Sequence, residues 1–254
     1  NEDWDQPDKA PSYGFAGWYD EGNRILLYDK YDIWMIFSNE PGSYASLTVM
    51  YGRDPMLNLS YRAIEFDKDK EYYTLKDTLI LNGFRFKEKY NSLYFQDFRV
   101  FGPMTVLREP PYNFNIQTKA KYNNSAIITK EKFDEFPDLY FDPDFFSIED
   151  SLVRISDLNS QLSNYYWGTS KIVQWQNSKG DTLTGFIMKP ENYDSTKRYP
   201  VIIHFYERFS DMANQFQRPQ INHRPNPSIY LNDGYIMFYP DIKYTVGNPG
   251  YSAV

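Results

Sequence analysis

The amino-acid sequence predicts a mostly β chain in two parts: an all-β region over residues 1–160 and the first strands of an α/β domain over residues 161–254. Aromatic residues make up 19% of the chain, with 24 Tyr and 19 Phe, and aromatic side chains favour strands. Turn residues divide the first part into pieces of about eight to twelve residues, as in sandwiches, barrels and propellers. A non-alternating apolar run at residues 201–205 is typical of a strand buried on both faces of a parallel sheet.

The all-β prediction follows from strands and turns that alternate along the first part. Strands around Trp18, at 24–28 and at 33–37 are separated by turn residues, which indicates consecutive antiparallel strands. The segment 90–109 repeats an aromatic strand, a charged break and a second strand. Further turns are predicted at 39–42, 67–70, 82–83, 89–91 and 122–125. No repeat of fixed period identifies one architecture, so a propeller and other β-meanders both stay open.

The character of the sequence changes between residues 133 and 190. Segment 133–150 carries seven acidic residues and two prolines, and we interpret it as a solvated connection with one short strand around 139–141. Its spacing does not match a calcium-binding loop. After Ser156, a turn at 177–181 predicts a hairpin between strands at 172–175 and 183–189.

Two buried strands are predicted near the C-terminal end, at 201–205 and 235–239. Between them we expect an irregular crossover or a short helix around 212–217. In open α/β sheets, ligands bind beyond the carboxyl ends of the strands. The residues after the first of these strands are therefore the first candidates for a functional site.

Composition excludes several kinds of site. The chain has no Cys, which rules out disulfides, zinc-thiolate sites and Cys nucleophiles. His204 and His223 are the two histidines, too few for an HExxH zinc site together with further His ligands, and no metal or cofactor is expected. The net charge of -7 without a basic stripe argues against a nucleic-acid partner. These residues contain no apolar stretch of membrane-spanning length and no signal peptide.

Four motifs in the second part resemble the prolyl oligopeptidase family of serine peptidases, in the branch of dipeptidyl aminopeptidases and acylaminoacyl peptidases. They are W-x-N-S-K-G-D-T-L-T-G-F-I-M-K-P at 175–190, K-R-Y-P-V-I-I-H-F-Y at 197–206, D-G-Y-I-M-F-Y-P-D-I at 233–242 and a Gly-rich turn at 247–252. The resemblance is strong from about residue 150 onward and looser before it. It implies the C-terminal part of a β-propeller at 1–160, followed by the N-terminal part of an α/β-hydrolase domain at 161–254.

The resemblance also implies chemistry. Tyr206 takes the position of the tyrosine that donates its hydroxyl to the oxyanion of the tetrahedral intermediate. The fold needs a Ser on a G-x-S-x-G turn, then Asp, then His, and no such turn occurs in the chain. The nearest sequence, at 250–254, ends in Val. We therefore expect a fragment of a peptidase whose triad lies beyond Val254, and expect the chain alone to be inactive.

The expected partner is a peptide substrate, and a homo-oligomer of the full-length enzyme is compatible with the resemblance. Family members of this bacterial type are often secreted to the cell envelope, which makes the periplasm or envelope the expected location. Two other hypotheses stay open: a non-catalytic β-rich binding or scaffold protein, and a hydrolase of the same fold that acts on an ester.

Other residues near Tyr206 have simpler interpretations. Glu207 and Arg208 would contact a substrate terminus or fix the loop as an ion pair. His204 is interpreted as a packed core residue, and Asp241 as a turn cap rather than a base.

Overall fold

The computed structural model describes residues 4–67, 69–100, 102–107, 109–147, 152–221 and 223–252. Two compact units divide the chain. The first contains mainly Asp8–Lys130 and Leu139–Ile155, and the second contains Asp5–Pro7, Glu131–Asp138 and the residues from Ser156 onward. No helix within the described ranges is long and apolar enough to cross a membrane.

Three four-stranded sheets account for the first part of the chain, and each takes its strands in chain order. Sheet 1 consists of β1 (Phe15–Tyr19), β2 (Arg24–Tyr28), β3 (Ile33–Phe37) and β4 (Tyr44–Ser46). Sheet 2 consists of β5 (Leu59–Ile64), β6 (Thr78–Arg85), β7 (Asn91–Asp97) and β8 (Met104–Leu107). Sheet 3 consists of β9 (Asn113–Lys119), β10 (Ala126–Lys132), β11 (Glu135–Asp142) and β12 (Val153–Arg154), and the division between the units falls inside β10 and β11.

Sheet 2 is buried on both faces because successive side chains along its strands enter two different cores. In β6, Leu79 and Leu81 belong to a cluster shared with sheet 1, whereas Ile80 between them belongs to a cluster shared with sheet 3. The three sheets therefore pack in sequence order. The predicted all-β character of this part is confirmed, as are the antiparallel strands at 24–28 and 33–37.

The turn predicted at Asn82 and Gly83 is wrong, because both residues lie inside β6. Gly83 pairs with Ser92 of β7 in the sheet. The ring of Tyr94 lies only 2.3 Å from the place where a Cβ at position 83 would stand. The glycine is needed for this close packing of a ring on the strand, and so the Asn-Gly pair does not form a hairpin turn here.

The described part of the acidic segment, residues 133–147, is more ordered and more buried than the sequence suggested. The predicted short strand is the eight-residue β11. Phe133 and Phe145 belong to cores, and Asp138 is only 6% exposed. Asp138 accepts hydrogen bonds from the Ser156 hydroxyl (2.7 Å) and the Leu158 N–H (2.9 Å). The interpretation as a solvated connection is therefore wrong for Asp138 and Asp142, which are buried, whereas Asp134, Glu135 and Asp144 are exposed.

The second unit is organised around sheet 4. Its strands are β13 (Thr169–Gln176), β14 (Thr182–Lys189), β15 (Val201–Ile203) and β16 (Ile236–Pro240). The order across the sheet is β13, β14, β16, β15, and β15 runs parallel to β16 while the other pairs are antiparallel. The predicted hairpin is confirmed, and Asn177 Oδ1 fixes its turn by accepting the N–H groups of Lys179 and Asp181 at 2.9 Å.

The helical elements of this unit are short. They are 3-10 helices at Ser160–Asn164 and Ser210–Met212, α1 (Pro227–Asn232) and α2 (Pro249–Ser252). The connection between β15 and β16 is thus irregular, as expected, but its α-helix begins at Pro227 and not at 212–217. Proline at the first position of α1 suits a helix start, since its missing N–H would be unpaired there in any case.

The prediction that the strand at 201–205 is buried on both faces is wrong. β15 covers only Val201–Ile203 and forms the edge of sheet 4, with β16 as its one strand neighbour among the described residues. Ile202 packs against the core, whereas Val201 and Ile203 are 52% and 56% exposed. The central strand is β16, where Met237 is fully buried.

Candidate functional site

The carboxyl ends of the parallel strands β15 and β16 lie side by side, and two loops leave the sheet there. Residues 204–209 follow β15, and residues 241–248 follow β16. The His204 N–H donates to the Phe238 carbonyl (2.9 Å), which extends the pairing of the strands past the end of β15. Both loops therefore start from a fixed position at the edge where ligands bind in sheets of this kind.

Asp241 joins the two loops. Its carboxylate accepts hydrogen bonds from the N–H groups of Phe209 and Ser210, both at 2.8 Å, and from the Ser210 hydroxyl at 2.5 Å. Asp241 is 9% exposed and Ser210 is fully buried. Three donors around one buried carboxylate satisfy its charge and fix the loop that carries Tyr206. The interpretation of Asp241 as a capping residue agrees with these contacts.

Tyr206 lies in the loop directly after β15, and its side chain is 70% exposed. The Tyr244 hydroxyl donates to the Tyr206 carbonyl at 2.6 Å, and the Ile242 N–H donates to the Glu207 carbonyl at 2.8 Å. The backbone on either side of Tyr206 is thus tied to the loop after β16, while its ring faces solvent. An exposed hydroxyl on a fixed backbone is suited to donate a hydrogen bond to a bound ligand.

A cavity of about 460 Å³ lies against Tyr206. It is lined by Asp5, Tyr206, Glu207, Tyr244 and the turn from Thr245 to Pro249. Asp5 accepts a hydrogen bond from the Tyr244 N–H at 3.3 Å, so the segment Asp5–Pro7 forms one wall. The polar groups at this cavity include the Tyr206 hydroxyl, which can donate to a carbonyl oxygen, and the carboxylates of Asp5 and Glu207, which can accept from an amine.

The other residues singled out near Tyr206 have structural contacts. The His204 ring packs against Phe209 and Tyr239, with centroids 5.1 and 5.5 Å away. Burial, together with the positive charge of Arg224, holds the pKa of His204 below its usual range, so the ring is neutral at pH 7. Arg208 lies 3.9 Å from Asp211, whereas the sequence suggested an ion pair of Arg208 with Glu207.

Sequence reasoning missed Tyr244 and Asp5 at this cavity. Tyr244 is 38 positions from the carbonyl that it binds, and Asp5 is 239 positions from the N–H that it accepts. Neither belongs to a motif, and in a chain with 24 tyrosines no local pattern marks Tyr244. No group of three His, Cys, Asp or Glu side chains that could hold a metal ion occurs in the described part of the chain.

Comparison with known proteins identifies the fold and no more. No protein-family model and no curated protein sequence matches the chain. Among solved structures, it is similar to the acylaminoacyl peptidase of Pyrococcus horikoshii, with a TM-score of 0.53 and 14% identity over 94% of this chain and 34% of that chain. Dipeptidyl peptidase 4 of Porphyromonas gingivalis gives a TM-score of 0.58 and 13% identity over 89% of this chain and 30% of that chain.

A third similar structure is the AtxE2 isopeptidase, solved as a variant with Astexin3-dC4 bound. Its TM-score is 0.50 and its identity 13%, over 93% of this chain and 34% of that chain. The described chain thus shares its fold with part of three peptidases. It spans about a third of the length of the solved chains that it matches.

Proposed function

We propose that this chain is part of a serine peptidase of the prolyl oligopeptidase family. In this proposal sheets 1 to 3 are blades of a β-propeller within residues 1–160, and sheet 4 begins an α/β-hydrolase domain within residues 161–254. The four-stranded sheets in chain order, packed face to face, support the propeller, because blades have this construction. Peptides are the substrates, as the names of the similar structures suggest.

The observation that carries the proposal is the position of Tyr206. It follows the parallel strand β15, next to the end of β16, with an exposed side chain and a backbone held by Tyr244. An exposed hydroxyl whose backbone is held at the carboxyl end of a parallel strand, beside a cavity, is suited to donate to an oxyanion. The resemblance of the motif at 197–206 to the family implies the oxyanion tyrosine at this residue.

In the proposed reaction, a serine supplied by sequence outside these 254 residues attacks the scissile carbonyl. A histidine takes the serine proton, and the carbonyl oxygen becomes an oxyanion that accepts a hydrogen bond from Tyr206. The amine then leaves with the proton from the histidine, and water hydrolyses the acyl-enzyme. Tyr206 stabilises the intermediate without exchanging its own proton.

The test is the change Tyr206→Phe in the full-length protein, assayed on peptide substrates. Loss of one oxyanion donor lowers kcat by about 100- to 1000-fold, because the donor acts mainly in the transition state, and KM changes little. Tyr166→Phe is the matched control, since Tyr166 is similarly exposed, at 63%, and does not line this cavity. Equal kcat values for Tyr206→Phe and the unchanged enzyme would refute the assignment.

A further inference from the structure

A cleft with an aromatic lining lies in the first unit. Its volume is about 320 Å³. We call it the aromatic cleft and define it by six of its lining residues, which are Phe15, Trp18, Tyr28, Glu65, Glu71 and Tyr73. Four of these are aromatic and two are acidic, a combination that the proposed peptidase function does not use.

The aromatic wall is held by contacts between β1 and the segment before β6. The Tyr73 N–H donates to the Trp18 carbonyl (2.8 Å), and the Asp20 N–H donates to the Tyr73 carbonyl (2.9 Å). Gly17 has φ +142°, and a Cβ there would lie 2.6 Å from the Tyr73 ring. Only glycine lets this ring approach β1 so closely. The position of Tyr73 is therefore set by backbone pairing and by a residue without a side chain.

Two large rings of the cleft remain open to solvent. Phe15 and Trp18 are 52% and 42% exposed, and they pack edge to face with centroids 5.6 Å apart. The Tyr28 hydroxyl accepts the Ala63 N–H at 3.0 Å, which fixes that ring as well. The cleft thus presents positioned aromatic side chains whose apolar surface is only partly covered.

The lining of the cleft carries two carboxylates and one ammonium, and the Arg62 guanidinium lies 4.8 Å from the Tyr28 ring centroid. Glu65 and Glu71 are exposed, and neither forms an ion pair with another residue that the structure describes. Burial raises the pKa of the Tyr73 hydroxyl, and the negative charge of Glu65 raises it further, which agrees with a position of Glu65 near the ring. Lys70 also lines the cleft, but its ammonium pairs with Asp77 while lying 5.4 Å from the Tyr73 ring centroid.

We propose that the aromatic cleft binds an organic cation, an ammonium or guanidinium group carried on an apolar arm. Aromatic faces attract such cations through their quadrupole, and Trp is the strongest of them. The two glutamates add Coulomb attraction, and the apolar arm covers ring surface that is now exposed. Lys70 above Tyr73 is an internal example of this recognition. The cation would come from a lysine or arginine side chain of a peptide or from a free polyamine.

Calorimetric titration of the intact 254-residue chain tests the proposal. The probes are N-acetyl-lysine amide, N-acetyl-arginine amide and spermidine, and N-acetyl-norleucine amide is a control with the same arm and no charge. We expect the cationic probes to bind and the norleucine control to bind at least about fivefold more weakly, in keeping with cation–π attraction at a partly exposed site. Binding of the amino-acid amides but not spermidine would identify a peptide side chain as the source, and the reverse would identify a polyamine.

Matched variants locate the binding. Trp18→Leu removes the ring but keeps an apolar side chain, and Glu71→Gln removes one charge; each should weaken binding of the lysine probe by about two- to fivefold. Trp4→Leu and Glu40→Gln change an exposed tryptophan and an exposed glutamate outside the cleft and should leave binding unchanged. Equal binding of the norleucine and lysine probes, no binding of any cationic probe, or unchanged affinity in both cleft variants would each overturn the proposal.

Discussion

Gly83 lies in the middle of β6, where the ring of Tyr94 packs directly onto the backbone. Tyr94 is 4% exposed and belongs to the core shared by sheets 1 and 2, so its ring has little room to move. We predict that Gly83→Ala destabilises the fold by about 1–3 kcal/mol, the usual cost of overpacking. Urea denaturation measures this difference.

The control for this prediction is Gly250→Ala. A Cβ at Gly250 would meet nothing within 4 Å, and the residue lies in the short helix α2. Alanine should therefore be tolerated there. Equal stability of Gly83→Ala and the unchanged protein would mean that the Tyr94 ring packs elsewhere.

Single residues also show how far the sequence alone can predict the site. Tyr206 is a candidate because a strand pattern ends just before it and because the motif at 197–206 resembles the prolyl oligopeptidase family, and its role stays a prediction. The turn predicted at Gly83 failed because the same Asn-Gly pair serves a hairpin turn or a close ring contact, and only the position of Tyr94 distinguishes them. Tyr244 could not be predicted, because its partner is a backbone carbonyl 38 residues away.

At the scale of the elements, the carboxylate of Asp77 holds the turn that leads into β6. Asp77 accepts hydrogen bonds from the Thr74 N–H (2.7 Å) and the Thr74 hydroxyl (2.8 Å), and it pairs with Lys70. Burial acts to raise the pKa of Asp77, but the Lys70 and Thr74 contacts outweigh it and hold the pKa below its usual range.

This lowered pKa predicts a pH dependence of stability. A carboxyl whose pKa is lower in the folded state stabilises the fold above its unfolded pKa of about 4, and the contribution is lost as pH falls through the folded value. At pH 7, Asp77→Asn should unfold at a lower urea concentration than the unchanged protein, and the gap should shrink by pH 3. Asp69→Asn, which changes an exposed aspartate outside the turn of Thr74 to Asp77, should show no such gap. A gap for Asp77→Asn that stays constant with pH would contradict the assigned role.

The hydrogen bonds of Asp241 connect the loops after β15 and β16, and they give a second prediction about stability. Asp241→Ala leaves the N–H groups of Phe209 and Ser210 and the buried Ser210 hydroxyl without their acceptor. The expected loss is about 1–3 kcal/mol of stability, because buried donors without partners are costly. Ser210→Ala removes one of the three bonds and should cost less. Thermal denaturation shows which of the two variants loses more stability. A larger loss of stability for Ser210→Ala than for Asp241→Ala would contradict the account.

The sequence predicted the positions of strands more reliably than it predicted how deeply each strand is buried. Alternating turns located β1, β2 and β3, and the segment 90–109 contained β7 and β8, but the turn predicted at 82–83 falls inside β6. An Asn-Ser-Lys-Gly-Asp turn located the hairpin of β13 and β14. Burial depends on what covers a strand, which no local pattern contains. The apolar run at 201–205 therefore suggested a strand covered on both faces, whereas β15 lies at the sheet edge and exposes Val201 and Ile203.

At the scale of the whole molecule, three sheets that follow the chain order and a fourth with one parallel strand pair define the architecture. The all-β character of the first part could be predicted from composition and turns, but the packing of its sheets through shared cores could not, because it depends on contacts between residues far apart in sequence. The serine, histidine and aspartate of the proposed reaction are not assigned to any residue of this chain.

The most direct test of the central proposal is labelling of the full-length gene product with a fluorophosphonate, which reacts with activated serines, followed by mass spectrometry of the labelled peptide. The proposal predicts one labelled serine in a G-x-S-x-G sequence outside these 254 residues, and no labelling of the 254-residue chain by itself. A full-length protein that stays unlabelled, or a label on a serine within this chain, would contradict it.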